Sequence, residues 1–117
     1  MSSNKPITPA THGLIDYGLL GLMLSAPSLL GLKGSAKTLP YLFGGIEGAL
    51  NAVTNHPFAL KRLVPFRTHG QIELSSMPLM IALPAVTGAF SQPKARAFFL
   101  GTVAMLATVY VLTDWDA

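Results

Sequence analysis

The sequence predicts an all-α, polytopic membrane bundle of four transmembrane helices, formed by tandem duplication of a two-helix hairpin. Three observations predict this fold class: an apolar composition, four long apolar stretches and an internal repeat. Half of the 117 residues are hydrophobic, only 11% are charged, and the mean hydropathy is +0.49. Soluble domains contain about 25% charged residues, so a small bundle with so few charges could not cover its surface with polar groups in water. We expect one membrane domain over residues 1–117.

The internal repeat is marked by a motif that occurs twice, 57 residues apart. The pattern Thr-His-Gly-x-Ile followed by an acid begins at Thr11 and again at Thr68. Four further pairs keep the same spacing: Pro27 and Pro84, Gly31 and Gly88, Lys37 and Lys94, and Gly44 and Gly101. Self-similarity at a fixed period indicates duplicated structural units. We therefore predict one repeat over about residues 11–57 and a second over about residues 68–117.

The apolar stretches predict the four helices. They span about residues 12–32, 38–53, 68–90 and 97–113. A helix of about 20 residues rises ~30 Å, which matches the hydrocarbon core of a bilayer. Thr11 is the predicted N-cap of the first helix, and Pro27 is expected to bend it. In the second helix, Gly44, Gly48 and Ala52 lie four residues apart, which predicts a seam where another helix approaches closely.

The repeat also predicts how the helices are arranged in the membrane. Each repeat contains two spans, so both copies enter the bilayer in the same direction. A pseudo-two-fold axis along the membrane normal is therefore expected to relate them. The predicted location is the cell inner (cytoplasmic) membrane of a bacterium, as a multi-pass protein. Orientation is not predicted, because the eight basic residues divide four to four between the two sides.

The composition limits the partners that we expect. Lys61, Arg62 and Arg67 lie among apolar residues in the long connection between the second and third helices. Such a mixture is typical of a segment that lies at the lipid headgroups of the bilayer. The basic residues are not clustered on one face, which argues against binding to nucleic acid. The absence of cysteine excludes disulfides, thiolate metal sites and cysteine nucleophiles.

Polar residues inside the predicted spans form the candidate site. In each motif the histidine and the acid are four residues apart, so they lie on one helix face. The repeat then predicts reciprocal pairs between the two copies, His12 with Glu73 and His69 with Asp16. An unpaired charge at the bilayer centre costs about 2.5–3.5 kcal/mol, so each acid must be protonated, paired with a histidine, hydrogen-bonded or bound to a cation. The predicted polar cluster contains His12, Asp16, Glu47, Asn51, Thr54, His69 and Glu73.

Three uses of this cluster are open at this point. The favoured one is a structural interlock between the repeats, which satisfies the buried polar groups and needs no cofactor. The second is a metal site with His12, Asp16, His69 and Glu73 as candidate ligands, or a haem held between the two histidines. The third is proton- or ion-coupled transport through Glu47 or Asp16.

The chain also resembles a known family. The His-x-x-x-Asp opening, the mid-helix proline Pro27 and the link from Thr54-Asn55-His56-Pro57 through Leu63-Val64-Pro65-Phe66 are similar to small bacterial membrane proteins of the SPW-repeat type. The Ser-Pro-Trp triplet of that repeat is replaced here by Ala26-Pro27-Ser28 and Leu83-Pro84-Ala85, and Glu73 stands where an aspartate is expected. The resemblance implies the four-helix membrane fold and no particular activity.

The sequence lacks the usual signals of an enzyme. It contains neither a glycine-rich phosphate loop nor a nucleophile-elbow pattern. We therefore expect a protein without catalysis, acting as a structural or accessory subunit. Its expected partners are the lipid bilayer and either a larger membrane complex or further copies of the same chain.

Overall fold

The structure is a computed structural model that describes residues 5–117. These residues form four α-helices and no strand, so the all-α part of the predicted fold class is confirmed. The elements are α1 (Pro9–Leu29), α2 (Ser35–Ala52), α3 (Phe66–Val86), a short 3-10 turn (Ala89–Ser91) and α4 (Pro93–Leu112). Residues 1–4 of the predicted domain lie outside the described residues.

Helix α1 begins three residues before its predicted start. Thr8 caps it, because the side chain of Thr8 accepts a hydrogen bond from the backbone N–H of Thr11 at 3.2 Å. Pro9 follows at the first helical position, where the missing N–H of proline is not needed. The prediction that Thr11 is the N-cap is therefore wrong. The capping residue lies one turn earlier, where Thr8-Pro9 offers a second and better start signal.

Helices α1 and α3 match each other at the repeat spacing. Each contains 21 residues, and their bounds differ by 57 at both ends. Each contains a buried internal proline at the same position, Pro27 and Pro84. After each helix the chain turns at a glycine with positive φ, 68° at Gly31 and 85° at Gly88. Residues with a side chain rarely adopt this backbone conformation. Glycine is therefore favoured in the turn that follows each helix.

Three layers of side chains fill the bundle along its length. An apolar layer at the end with the short turns contains Leu32, Ala36, Leu39, Ala89, Ala95 and Phe99. A middle apolar layer contains Leu19, Met23, Met77, Met80 and Leu106. The third layer is polar and lies where α1 and α3 begin and where α2 and α4 end. The candidate site therefore occupies one end of the bundle.

The most extensive contact between helices is that of α1 with α2, followed by that of α3 with α4. A Cβ atom added at Gly44 would lie 2.7 Å from the Cβ of Met23, and one added at Gly48 would lie 2.9 Å from Leu20 Cδ1. Both glycines are buried. They therefore allow the close approach of α2 to α1 that their spacing predicted.

The membrane prediction has partial support from helix length and hydropathy. Among the described residues, only α4 is both long and apolar enough to cross a bilayer, with a mean hydropathy of 1.7 over its most apolar window. One such helix is weak evidence, since buried core helices of soluble proteins can have the same composition. Length and hydropathy therefore do not establish the four predicted spans.

Candidate functional site

The polar layer is assembled from both sequence motifs. Helix α1 supplies His12 and Asp16, and α3 supplies His69 and Glu73. All four side chains are buried, with at most 1% of their surface exposed. Both acids are the eighth residue of their helix, ~10 Å from its first residue at 1.5 Å per residue. The cluster thus lies about two turns inside the bundle.

Each histidine lies close to both acids. His12 Nε2 is 3.1 Å from Glu73 Oε2 and 3.2 Å from Asp16 Oδ2. His69 Nε2 is 2.9 Å from Asp16 Oδ2 and 3.5 Å from Glu73 Oε2. The shortest contact of each histidine is therefore with the acid of the other helix, in the reciprocal order that the repeat predicted. Each histidine also contacts the acid on its own helix. Nε2 of both histidines and one oxygen of each acid therefore form a closed ring of four atoms.

Helix α2 adds a third carboxylate at the edge of this ring. Glu47 Oε1 lies 3.4 Å from His69 Nε2, and the Glu47 side chain is 16% exposed. Asn51 is one turn further along α2 and does not bond to the acids. Its side-chain Nδ2 donates instead to the backbone carbonyl of Gly13 at 3.0 Å, which ties α2 to α1. The structure thus places Glu47 in the cluster and Asn51 beside it.

The outer nitrogen of each histidine bonds to a buried threonine. His69 Nδ1 lies 2.8 Å from Thr54 Oγ1, and His12 Nδ1 lies 2.9 Å from Thr113 Oγ1. Each threonine hydroxyl also donates to the carbonyl four residues earlier, Thr54 to Leu50 and Thr113 to Val109. Thr54 belonged to the predicted cluster, whereas Thr113 did not. The two threonines are 59 residues apart, and the repeat spacing of 57 therefore gave no signal for Thr113.

These bonds place a proton on Nδ1 of each histidine. A hydroxyl has one hydrogen, and in Thr54 and Thr113 that hydrogen is given to a backbone carbonyl. Each hydroxyl oxygen can therefore only accept a hydrogen bond from the histidine Nδ1–H. In a neutral imidazole the other nitrogen then has a lone pair. Nε2 of each ring consequently faces the acids at the centre of the cluster, with a lone pair in the neutral imidazole or as an N–H donor in the imidazolium.

Replacing Thr54 with valine is expected to destabilise the protein by about 1–3 kcal/mol, since the buried His69 Nδ1–H loses its acceptor. Chemical denaturation in detergent, followed by circular dichroism, measures this change. Thr108→Val is the matched control, because Thr108 makes the same bond to the carbonyl four residues earlier but is exposed and bonds to no histidine. Equal losses in the two variants would contradict a role for Thr54 in holding His69.

Two rings lie over the helix starts next to the cluster. The His56 ring packs on Gly13, where an added Cβ would lie 2.6 Å from the ring, and the Trp115 ring packs on Gly70 at 2.8 Å. Each ring is held by its nitrogen, with Trp115 Nε1 donating to the carbonyl of Tyr110 and His56 Nε2 bonded to that of Asn51. The sequence pattern gave no signal for these two rings. Their positions depend on connections outside the helices.

Trp115 also contacts the cluster directly. Its ring centroid lies 4.9 Å from that of His12 and 4.8 Å from that of Phe66. Phe66 in turn lies 5.5 Å from His12 and 6.2 Å from His69. These aromatic rings separate the two histidines from the end of the bundle. The cluster is therefore closed on that side by apolar surface.

Glu47 also faces a small cavity between the helices. The cavity has a volume of about 60 Å³ and is lined mainly by apolar side chains, with Glu47 and Ser76 as its polar residues. Ser76 Oγ donates to the backbone carbonyl of Glu73 at 2.7 Å. The cavity thus leads from the middle apolar layer to the edge of the polar cluster.

The predicted headgroup residues lie away from this site. Lys61, Arg62 and Arg67 are all exposed. Arg67 pairs with Asp116 in the C-terminal segment, and this ion pair joins the start of α3 to the tail of the chain. These basic residues therefore lie on the surface and do not take part in the cluster.

Comparisons with known proteins do not assign the site. No family model matches the chain, and no match was found among the curated proteins or the solved structures. The resemblance to SPW-repeat proteins accordingly stays a prediction from the motifs. What the cluster does must be inferred from its own geometry.

Proposed function

We propose that the chain is a small, multi-pass integral membrane protein of the inner membrane, without catalysis, which serves as a structural or accessory subunit. In this proposal the four helices span the bilayer, and the two repeats are related by an axis along its normal. The polar cluster locks the two hairpins together. The observation that carries the proposal is the apolar surface of the bundle.

Large hydrophobic side chains are exposed on every helix. The most exposed on each are Leu29 on α1 (83%), Ile46 on α2 (68%), Val86 on α3 (79%) and Val111 on α4 (60%). Soluble monomers rarely expose contiguous apolar patches larger than a few hundred Å², and larger ones mark membrane or protein contacts. Since this surface is distributed over all four helices, a bilayer covers it more completely than a single protein partner would.

The histidines and acids of α1 and α3, unlike these exposed apolar side chains, face the interior of the bundle. His12, Asp16, His69 and Glu73 lower the hydropathy of these helices, yet their side chains point into the bundle. Mean hydropathy counts such residues against a membrane span, although they would not contact lipid. Ionisable residues in membrane proteins characteristically face the bundle interior and pair with one another. This distribution supports a membrane location for helices whose average hydropathy is modest.

The interlock follows from which helices contribute to the cluster. Each of the two shortest histidine–acid contacts joins α1 to α3, so each joins the first hairpin to the second. Glu47 brings α2 to the same point. Without these contacts the hairpins would be held together mainly by the apolar layers. Lipid is as apolar as those side chains. Polar contacts therefore hold membrane helices together more specifically than apolar contacts do.

Transport has less support from the same geometry. The layers next to the cluster consist of apolar side chains, including Met23, Met77 and Leu106. The described residues therefore offer no continuous polar path along the bundle. An ion that reached Glu47 would have to cross two apolar layers to leave at the other end.

Alkaline carbonate extraction and density-gradient flotation test the membrane proposal. We expect the expressed chain to stay in the membrane pellet at high pH and to float with vesicles, because the apolar faces of four helices contact lipid. A variant with Ile46 and Val86 both replaced by lysine tests whether those faces contact lipid. Both side chains are exposed and lie on different helices. It should insert poorly and lose flotation.

Recovery of the wild-type chain as a soluble monomer after carbonate treatment would contradict the membrane proposal. Replacing the already exposed Lys61 and Arg62 with glutamine is the control. These changes alter the charge without adding a charge to a lipid-facing helix. Flotation should persist in this variant.

A further inference from the structure

The polar cluster contains more buried polar atoms than its own hydrogen bonds satisfy. Both carboxylate oxygens of Asp16, one each of Glu47 and Glu73, and Nε2 of His69 have no hydrogen-bond partner among residues 5–117. Asp16 and His69 are 0% exposed, and Glu73 is 1% exposed. Buried polar groups in native proteins are almost always paired. Several unpaired atoms in one buried layer indicate that a ligand binds there.

His12 Nε2 forms a hydrogen bond with Glu73 Oε2 at 3.1 Å, whereas the contact of His69 with Asp16 is short but not aligned as a hydrogen bond. His69 Nε2 lies 2.9 Å from Asp16 Oδ2, and neither atom has a hydrogen-bond partner by geometry. When the His69 imidazole is neutral, the bond from its Nδ1 to Thr54 leaves a lone pair on Nε2. A lone pair directed at carboxylate oxygens is repelled by them. A cation between the nitrogen and the oxygens converts this repulsion into attraction.

The spacing of the donor atoms matches that of metal ligands. The four sides of the ring measure 3.1, 3.2, 2.9 and 3.5 Å, and all four atoms lie within 4.8 Å of one another. Ligands at 2.0–2.2 Å from a zinc ion are about 3.3 Å apart in a tetrahedron, and about 2.9 Å when adjacent in an octahedron. The four sides of the ring therefore fall close to the spacings that the ligands of one ion adopt.

The threonines supply the outer contacts that metal-binding histidines usually have. A histidine ligand typically donates its second N–H to an acceptor that holds the ring in place. Thr54 and Thr113 play this part for His69 and His12, at 2.8 and 2.9 Å. This observation is independent of the unpaired acids, because it concerns the far side of each imidazole ring. Both point to the same central position.

We propose that His12, Asp16, His69 and Glu73 bind one divalent transition-metal ion. Two imidazoles and two carboxylates suit zinc, iron or manganese, and the two carboxylates balance the charge of the ion. Glu47, at the edge and partly exposed, lies outside this set of four. The ion bridges α1 and α3, so this inference rests on the interlock proposed above and identifies its chemistry.

Haem is not compatible with the same arrangement. A porphyrin held by His12 and His69 would occupy the plane between their Nε2 atoms. Oxygen atoms of Asp16 and Glu73 already lie within 3.5 Å of both nitrogens and fill that plane. The donor set therefore surrounds a single ion.

Zinc binding to the purified full-length chain tests the proposal. The protein is prepared in mild detergent without a polyhistidine tag, treated with a chelator, dialysed and titrated with Zn²⁺ in a calorimeter. We expect one Zn²⁺ per chain, with the same stoichiometry by elemental analysis. Co²⁺ bound at the same site should give visible absorption bands that Zn²⁺ displaces.

Near-isosteric variants assign the site. Asp16→Asn and Glu73→Gln keep the side-chain shape and remove one ligand charge each, and we expect each to weaken Zn²⁺ binding by at least about 10-fold. Their circular dichroism and detergent stability show whether they are folded. His56→Ala is the matched control, because His56 is a buried histidine that is not in the ring of donors, and it should keep wild-type affinity.

Folded wild-type protein that binds neither Zn²⁺ nor Co²⁺ would overturn the inference. So would full-strength binding by Asp16→Asn and Glu73→Gln, which would place the ion elsewhere. Either result leaves the membrane proposal standing if the chain still floats with vesicles. Loss of flotation in a chain that binds one Zn²⁺ would instead overturn the membrane proposal alone.

Discussion

His69→Ala is expected to destabilise the detergent-solubilised protein by about 3–5 kcal/mol, the range found when one partner of a buried ion pair is removed. His69 Nε2 lies within 3.5 Å of carboxylate oxygens from Asp16, Glu47 and Glu73. Without this imidazole the three acids share one remaining histidine in a buried site. Denaturation followed by circular dichroism, with chelator and again with Zn²⁺, measures the loss. We expect the difference from wild type to be larger with Zn²⁺.

His56→Ala is the control for losing any buried histidine. His56 is 2% exposed and bonds to the carbonyl of Asn51, so its removal is expected to cost about 1–3 kcal/mol. A loss for His69→Ala no larger than that for His56→Ala would show that the acids do not depend on His69. The cluster would then not be the interlock. The apolar layers would then have to hold the two hairpins together.

The centre of the site could be predicted from the sequence because two short-range rules act together. A spacing of four residues places histidine and acid on one helix face, and a repeat of two helices places both copies at the same end of the bundle. Neither rule requires knowledge of loops. Together they bring His12 to Glu73 and His69 to Asp16, and the structure has these contacts at 3.1 and 2.9 Å.

The surroundings of the site could not be predicted in the same way. Thr113 and Trp115 come from the segment after α4, where the chain is offset by two residues from the repeat spacing. Their positions depend on backbone contacts such as Ile7 N–H to the carbonyl of Leu112, which join distant parts of the chain. Such pairings leave no periodic signal. The contacts of Thr113 with His12 and of Trp115 with Gly70 could therefore be identified only from the folded structure.

Hydropathy and folding geometry report different properties of the helices. Hydropathy averages all residues of a helix, so Asp16 and Glu73 lower it although both are buried. The fold separates an apolar exterior from a polar interior layer. Mean hydropathy does not distinguish residues on the exterior from residues in the interior. For this reason α4 alone, among residues 5–117, is apolar enough on average to cross a bilayer, while exposed apolar side chains occur on all four helices.

Gly70→Ala is expected to destabilise the protein by about 1–3 kcal/mol, a usual cost of overpacking. The added Cβ would lie 2.8 Å from the Trp115 ring, closer than real Cβ contacts allow. Trp115 cannot move away easily, because its indole N–H donates to Tyr110 and its ring stacks on Phe66. Thermal denaturation and tryptophan fluorescence measure the effect, since Trp115 is the single tryptophan. Displacement of the ring should change its emission.

Gly101→Ala is the matched control, because Gly101 is an exposed helical glycine with nothing within 4 Å of an added Cβ. It should be neutral or stabilise the protein by up to about 1 kcal/mol, since alanine favours the helix more than glycine does. Gly13→Ala under the His56 ring and Gly18→Ala in open space form the same comparison on α1. If all four substitutions had equal effects, the rings would not be packed on the helix starts. A loss confined to Gly13 and Gly70 would show that both rings close the polar end of the bundle.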